Sequence, residues 1–211
     1  MAVAAGLIVL NWVPYVVFPG PEGPFSPTAN IGIRIDQALF HLNRDYSWHT
    51  MNFLGSAVTI IFGAWTAEWR ISTRTTKAKL KSLLVAAPAG LALGLAIRPI
   101  KPIIHKCWTA SFTFAHTGLI LLGIALFVWL FELRCYRKLA FPLIVVGMNS
   151  IFIYITFLTL GEHFLQPYLR LFFNDFRFMG WLAPIGVACP IITILWYLCY
   201  WLCKREIFFK L

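Results

Sequence analysis

Residues 105–112 combine side chains that could bind a ligand or move a proton, at the start of a strongly apolar segment. Trp108 offers a stacking face and Lys106 offers three N–H donors, which together suit an anionic or sugar ligand. An aromatic residue beside a cation is also a common anchor at a membrane surface. The sequence therefore makes His105 a candidate catalytic residue, and Lys106, Trp108 and Ser111 candidate substrate-binding residues.

His116 lies further along the same apolar segment. At steps of three and four residues it shares one helical face with His105, Thr109 and Phe112. An imidazole inside a membrane span can serve as a general base, as a hydrogen-bonded structural group, or as an axial ligand to a haem or chlorin. The sequence leaves these three roles open. His116 is thus a candidate catalytic residue and a candidate axial ligand to a tetrapyrrole cofactor.

A second polar stripe is predicted along the next apolar segment. Asn149, Thr156 and His163 are spaced by seven residues, and Asn149 falls near the middle of the segment, where an unsatisfied amide is costly. If the two stripes face each other, they line a cavity or a proton path. The alternative is hydrogen bonding between helices, at about 1 kcal/mol or less per contact. Asn149 is therefore a candidate substrate-binding residue. His163, beside Glu162, is a candidate catalytic acid or base, and the alternative is that Glu162 and His163 are a solvated pair in a loop.

The composition is that of a membrane protein. Hydrophobic residues make up 60% of the chain and charged residues 12%, whereas about 25% of a soluble domain is charged. The net charge of +10 does not predict nucleic-acid binding, because the Lys and Arg residues form short clusters between apolar runs, as membrane topology requires. The five cysteines have no zinc-type spacing, and no metal site is expected.

Six apolar stretches predict one all-α transmembrane domain over residues 1–211, in contact with the lipid bilayer. The stretches are 1–19, 51–67, 82–98, 108–131, 139–160 and 179–202. A span needs roughly 20 apolar residues, so the second and third are short. The segments that follow the second, fourth and sixth stretches carry eleven of the eighteen Lys and Arg residues. The positive-inside rule therefore predicts that both termini are cytoplasmic, and we expect a bacterial inner membrane.

The connections on the non-cytoplasmic side of the membrane contain two predicted surface elements. Residues 20–50 form an outer loop in which helical spacing of apolar residues predicts a short helix from about 31 to 42, and a second element is predicted at 162–176. No Lys or Arg precedes Arg34, so a cleaved signal peptide is not expected. The first stretch is either a native start or a span that has lost a preceding segment, and both remain open.

Several motifs, spread over most of the chain, resemble those of the heparan-alpha-glucosaminide N-acetyltransferase-like membrane proteins. They are Phe18-Pro19-Gly20 through Ser26-Pro27, Asn30-Ile31, Ile35-Asp36, Pro102 through Phe112, Ala140-Phe141-Pro142, and Gly147-Met148-Asn149-Ser150-Ile151 with Tyr154. The resemblance implies a polytopic bundle that uses acetyl-CoA as co-substrate. By this resemblance, the acetyl group would pass from cytoplasmic acetyl-CoA to an amino sugar on the far side of the membrane.

The chain departs from that family in ways that bear on activity. The family's first spans, with an Arg-Gly start and the His proposed as acetyl acceptor, have no counterpart here. Ile104-His105 replaces the family's Asn-Lys, and Tyr46-Ser47-Trp48-His49 replaces its Asp-Pro-Glu-Gly. Acyl transfer needs an acceptor or base and groups that stabilise the oxyanion.

Two hypotheses follow from the resemblance and the departures. The chain is an active acyl-CoA-dependent acyltransferase for an amino sugar, with missing spans supplied by another chain, or it is a non-catalytic structural subunit among other membrane protein subunits of a larger complex. The missing acceptor segment favours the second.

Overall fold

The computed structural model describes residues 2–26, 29–41, 49–174 and 183–209, and these are mostly helical. Within those ranges the only β-type pairing is an isolated bridge between Gly20 and Gly23. The helices are α1 (Ala2–Val17), α2 (Ile31–Phe40), α3 (Asn52–Ile71), α4 (Thr76–Ile97), α5 (Ala110–Phe127), α6 (Arg137–Met148), α7 (Ser150–Thr156), α8 (Gln166–Asn174) and α9 (Ala183–Lys204). Two π-helical segments, Val128–Leu133 and Phe157–Leu165, follow α5 and α7. The predicted all-α class is confirmed.

Three described helical segments are long and apolar enough to cross a membrane: Thr76–Ile97, Ala110–Leu133 and Pro184–Lys204. A fourth is added if Arg137–Met148 and Ser150–Leu171, which meet at an angle of 70°, form one broken span. The apolar helix α1, at 16 residues, is shorter than a full span. These helices indicate an integral membrane protein, with three or four spans by length and composition, and the count of six stays a prediction.

Some predicted features lie outside the described residues. They are Pro27, the end of the outer loop with Arg44 and Tyr46-Ser47-Trp48, the last two residues of the 162–176 element, the start of the 179–202 stretch with Arg177, and Lys210. The surface helix predicted over 31–42 is present as α2. Its start is explained by Asn30, whose side chain accepts a hydrogen bond from the Ile33 N–H.

The chain divides into two compact units, Met1–Arg134 and Cys135–Leu211. In the first unit, α4 and α5 pack backbone against backbone. A Cβ added at Gly94 would lie 2.6 Å from the Ala115 nitrogen, and one added at Gly118 would lie 2.6 Å from the Leu91 nitrogen. Small residues are the usual means by which membrane helices approach this closely. The α4–α5 pair is therefore the most closely packed helix pair of this unit.

The second unit is built around α9. Val187, Ile191 and Leu195, four residues apart on α9, are buried against apolar residues of α7, α8 and the π-helical segment. The predicted 139–160 stretch is interrupted at Asn149, whose φ and ψ angles of −128° and 42° are not helical. The described part of the predicted 162–176 element is helical and continues from α7.

Candidate functional site

Buried polar side chains gather at one end of the first unit. The loop before α2, the starts of α2 and α3, and the loop before α5 supply most of them. Those at most 5% exposed are Asn11, Tyr15, Ser26, Asn30, Asp36, His49, Asn52, Thr109, Ser111 and Thr113. We call this set the polar end. Burying a polar group costs free energy unless the group is hydrogen-bonded, so the partners of these side chains indicate their role.

Asn30 and Asp36 join α2 to the start of α3. The Asn30 side-chain amide donates to the Ser26 carbonyl at 2.8 Å and lies 3.2 Å from Nε2 of His49. Both carboxylate oxygens of Asp36, which is fully buried, accept from the Thr50 N–H at 3.1 and 3.2 Å. A buried carboxylate that binds a backbone N–H fixes the chain where it enters a helix. His49, the last residue of the Tyr46–His49 departure from the family motif, is thus held against Asn30.

The residues of the Lys106–Ser111 motif are bonded to the chain around them. Thr109 is the N-cap of α5, and its hydroxyl donates to the Pro102 carbonyl at 2.9 Å. The Ser111 hydroxyl donates to the same carbonyl at 3.0 Å. The Lys106 carbonyl accepts from the Asn52 side chain at 2.6 Å. Ser111, a predicted substrate-binding residue, is fully buried and anchors the loop that precedes its own helix.

Trp108 is held in a strained position by two contacts with α3. Its φ of 46° lies in the left-handed region, where a large side chain is uncommon. Its indole N–H donates to the Thr59 hydroxyl at 3.1 Å. The ring also lies over Gly55, where an added Cβ would come within 2.5–2.8 Å of three Trp108 atoms. Gly55 and Thr59 therefore give Trp108 a fitted position on α3.

The predicted helical face is only partly present, because Phe112 and His116 lie on α5 whereas His105 and Thr109 precede it. Phe112 contacts three rings at centroid distances of 5.0–5.5 Å: His105, Trp108 and His116. The helix begins only at Ala110, so Thr109 does not join this face, and its hydroxyl binds the preceding loop instead. Nδ1 of His116 is buried and has no hydrogen-bond partner within the described ranges.

Burial shifts the pKa of one thiol and of one ammonium group beside the polar end. Burial raises the pKa of Cys107 to about 11, and the neighbouring Tyr15 hydroxyl and Lys106 charge offset only part of that rise. Burial also lowers the pKa of Lys101, whose ammonium group lies 4.1 Å from the Trp12 ring centroid. Cys107 is therefore a protonated, unreactive thiol at neutral pH.

Asn149 belongs to the second unit and binds the end of the chain. It is fully buried, its amide nitrogen donates to the Ile207 carbonyl at 3.3 Å, and its oxygen accepts from the Phe209 N–H at 3.0 Å. The ring of Phe209 stacks on Phe152 at 5.4 Å. Asn149 thus fastens the segment after α9 to the break between α6 and α7.

The prediction that Asn149, Thr156 and His163 form one regular stripe is wrong. The helix breaks at Asn149, and the π-helical segment Phe157–Leu165 has a wider turn than an α-helix, so a spacing of seven no longer keeps one face. His163 is exposed. The two stripes also belong to different units, and a cavity between them stays a prediction.

Several members of the polar end were missed by the sequence analysis as candidates. Asn11 and Tyr15 are four residues apart in an otherwise apolar helix, and Asp36 lies among isoleucines in α2. Polar residues on one face of an apolar helix are the signal that could have found them. The sequence does not single out Asn52 in this way. Its role depends on its partner, the Lys106 carbonyl, which is 54 residues away along the chain.

No family model matches the chain, and no curated protein matches it either. The resemblance to the acetyltransferase-like family therefore remains a prediction from the motifs. Among the residues that the structure describes, no group of three or more His, Cys, Asp or Glu side chains is placed to hold a metal ion.

Proposed function

We propose that the chain is a non-catalytic structural subunit of a larger membrane complex. The observation that supports this best is the use made of the motif residues. Thr109, Ser111 and Asn149 each bind backbone groups of the same chain. Side chains that hold loops in place are not available to bind an acetyl donor or an amino sugar without unfolding the contact they make.

The wider proposal keeps six spans with both termini in the cytoplasm, in a bacterial inner membrane. Helices occupy most of the described part of all six predicted stretches, although α1 is short and the fifth stretch is broken at Asn149. A short helix can still cross when neighbouring subunits or local thinning of the bilayer accommodate it. The charge asymmetry of the loops supports the orientation.

The test of the structural role begins with the purified chain, acetyl-CoA and glucosamine. We expect no acetyl transfer, because Ser111 and Asn149 bind backbone groups of the same chain and are not free to bind either substrate. The variants His116→Ala and His163→Ala are measured beside it. In native membranes we expect the chain to migrate as a complex with other membrane subunits in fixed stoichiometry.

Transfer by the isolated wild-type chain that either substitution abolishes would overturn the structural role. So would a chain that stays monomeric in native membranes. Ile144→Ala, on an exposed apolar position of α6, is the control for non-specific effects of substitution.

The alternative function, an acyl-CoA-dependent acyltransferase, is supported by one observation. The buried Nδ1 of His116 has no hydrogen-bond partner in the described part of the chain, as a base awaiting a substrate would. Under this alternative His116→Ala abolishes transfer, whereas under the structural role it changes only stability. The same assay therefore separates the two functions.

A further inference from the structure

A cleft of about 630 Å³ lies on the first unit between α3, α4 and α5, and none of the motif residues lines it. Its walls are almost wholly apolar. Phe62, Trp65 and Trp69 line it from α3, and small residues such as Ala86, Ala89 and Gly90 line it from α4. An open apolar cleft between membrane helices has the shape and chemistry of a binding site for a hydrocarbon chain.

The length of the cleft matches one leaflet of a bilayer. It extends along α4 from Ser82 to Leu93. At 1.5 Å per helical residue this is about 16 Å, roughly half of the 30 Å thickness of a hydrocarbon core. A phospholipid acyl chain crosses the same half. The cleft therefore fits one acyl chain lying parallel to α4.

The end of the cleft at Trp69 and Ser82 is polar and positively charged. The Trp69 indole N–H donates to the Ser82 hydroxyl at 2.9 Å, and the Arg74 guanidinium lies 4.2 Å from the Trp69 ring centroid. Arg74, Lys77 and Lys81 are exposed at the turn between α3 and α4 and at the start of α4. This turn carries the densest group of cations in the chain.

The nearby acidic groups neutralise only part of that charge. Glu132 forms an ion pair with Arg70, at the other side of the same turn. Glu68 is exposed one helical turn before the end of α3. Arg74, which contacts Trp69 at the cleft, and Lys77 and Lys81, which are exposed close by in sequence, therefore remain to attract an anionic group. A juxtamembrane cation contributes roughly fivefold in affinity for an anionic surface.

We propose that this cleft binds an anionic phospholipid, with one acyl chain between α3, α4 and α5 and its phosphate at the Arg74–Lys81 turn. The apolar walls and the length of the cleft favour an acyl chain, and the cations favour an anionic head group. The site is independent of the structural role proposed above, because none of the residues that line it belongs to the motifs.

The test is native mass spectrometry of the full chain, released from detergent after titration with phosphatidylglycerol or phosphatidylcholine. We expect the wild-type chain to retain one phosphatidylglycerol at concentrations where phosphatidylcholine is lost. The triple variant Arg74→Gln, Lys77→Gln, Lys81→Gln should lose roughly 100-fold in affinity for phosphatidylglycerol and little for phosphatidylcholine. Ala89→Phe, which fills the cleft, should weaken the binding of both lipids.

Matched controls are available for both changes. The triple variant Arg137→Gln, Lys138→Gln, Lys204→Gln removes the same charge from exposed positions that do not line the cleft, and Val85→Phe enlarges an exposed residue of α4 that does not line it either. Both should bind phosphatidylglycerol as the wild type does.

Three results of the binding measurements would overturn the proposal. They are equal retention of the two lipids by the wild-type chain, an equal loss in the control triple variant, or unchanged binding in a folded Ala89→Phe chain. Circular dichroism and a single peak in size exclusion establish that each variant is folded. An elongated density of a protein helix in the cleft of an isolated complex would also exclude a lipid there.

Discussion

Gly55 provides the sharpest test of how the polar end is assembled, because a single methyl group added there meets the Trp108 ring. The Cβ of Gly55→Ala would lie 2.5–2.8 Å from three Trp108 atoms. Trp108 cannot move away easily, since it donates to Thr59 and packs edge-on against Phe112. Overpacking of this kind costs about 1–3 kcal/mol.

The helix-propensity term has the opposite sign and can be measured separately. Replacing Gly by Ala inside a helix stabilises it by roughly 0.8–1 kcal/mol. Gly63, on the same helix, has no atom within 4 Å of an added Cβ, so Gly63→Ala shows the propensity term alone. The difference between the two variants isolates the contact with Trp108, and we expect Gly63→Ala to be the more stable by about 1–3 kcal/mol.

The assay is thermal unfolding of the purified chain in detergent, followed by intrinsic fluorescence. A difference of 1 kcal/mol corresponds to roughly 2–4 °C in Tm for a chain of this size. In a Trp108→Ala background, Gly55→Ala should lower Tm by less than it does in the wild-type chain, because the two residues are coupled by contact. Equal Tm values for Gly55→Ala and Gly63→Ala would refute the placement of Trp108 on α3.

Three further predictions concern a thiol, the chain end and the topology. In a variant whose only cysteine is Cys107, alkylation should be slow at pH 8, where about one thiol in a thousand is ionised, and should rise about tenfold per pH unit up to pH 10. Asn149→Leu should destabilise the chain by roughly 1–2 kcal/mol in thermal unfolding, because the Ile207 carbonyl and Phe209 N–H both lose their partner. In a cysteine-free background, a membrane-impermeant maleimide applied from outside should label Arg170→Cys and leave Lys77→Cys unlabelled.

Each of these has its own control. Cys107 labelled in SDS gives the rate for the unfolded chain, and a folded rate equal to it would contradict the burial of the thiol. Ser150→Leu changes the exposed neighbour of Asn149 and should leave Tm unchanged. Outside labelling at Lys77→Cys would exclude the proposed orientation.

The sequence predicts the secondary structure of this chain well, because the signals are local. Runs of apolar residues indicate where helices form, and helices occupy most of the described part of all six predicted stretches. Asn30 also marks the start of α2 through a hydrogen bond that spans only three residues. The break at Asn149 was missed, because the partner that stabilises the non-helical backbone lies 58 residues further on.

What the sequence alone determined is that the chain is helical, apolar and suited to a bilayer. Only the tertiary structure decided what its polar residues do. Ser111 and Asn149, the candidate substrate-binding residues, donate hydrogen bonds to backbone carbonyls of the same chain. The physical reason is that hydropathy is a property of each segment, whereas a buried polar group must find a partner, and which partner comes within 3 Å depends on how distant segments pack.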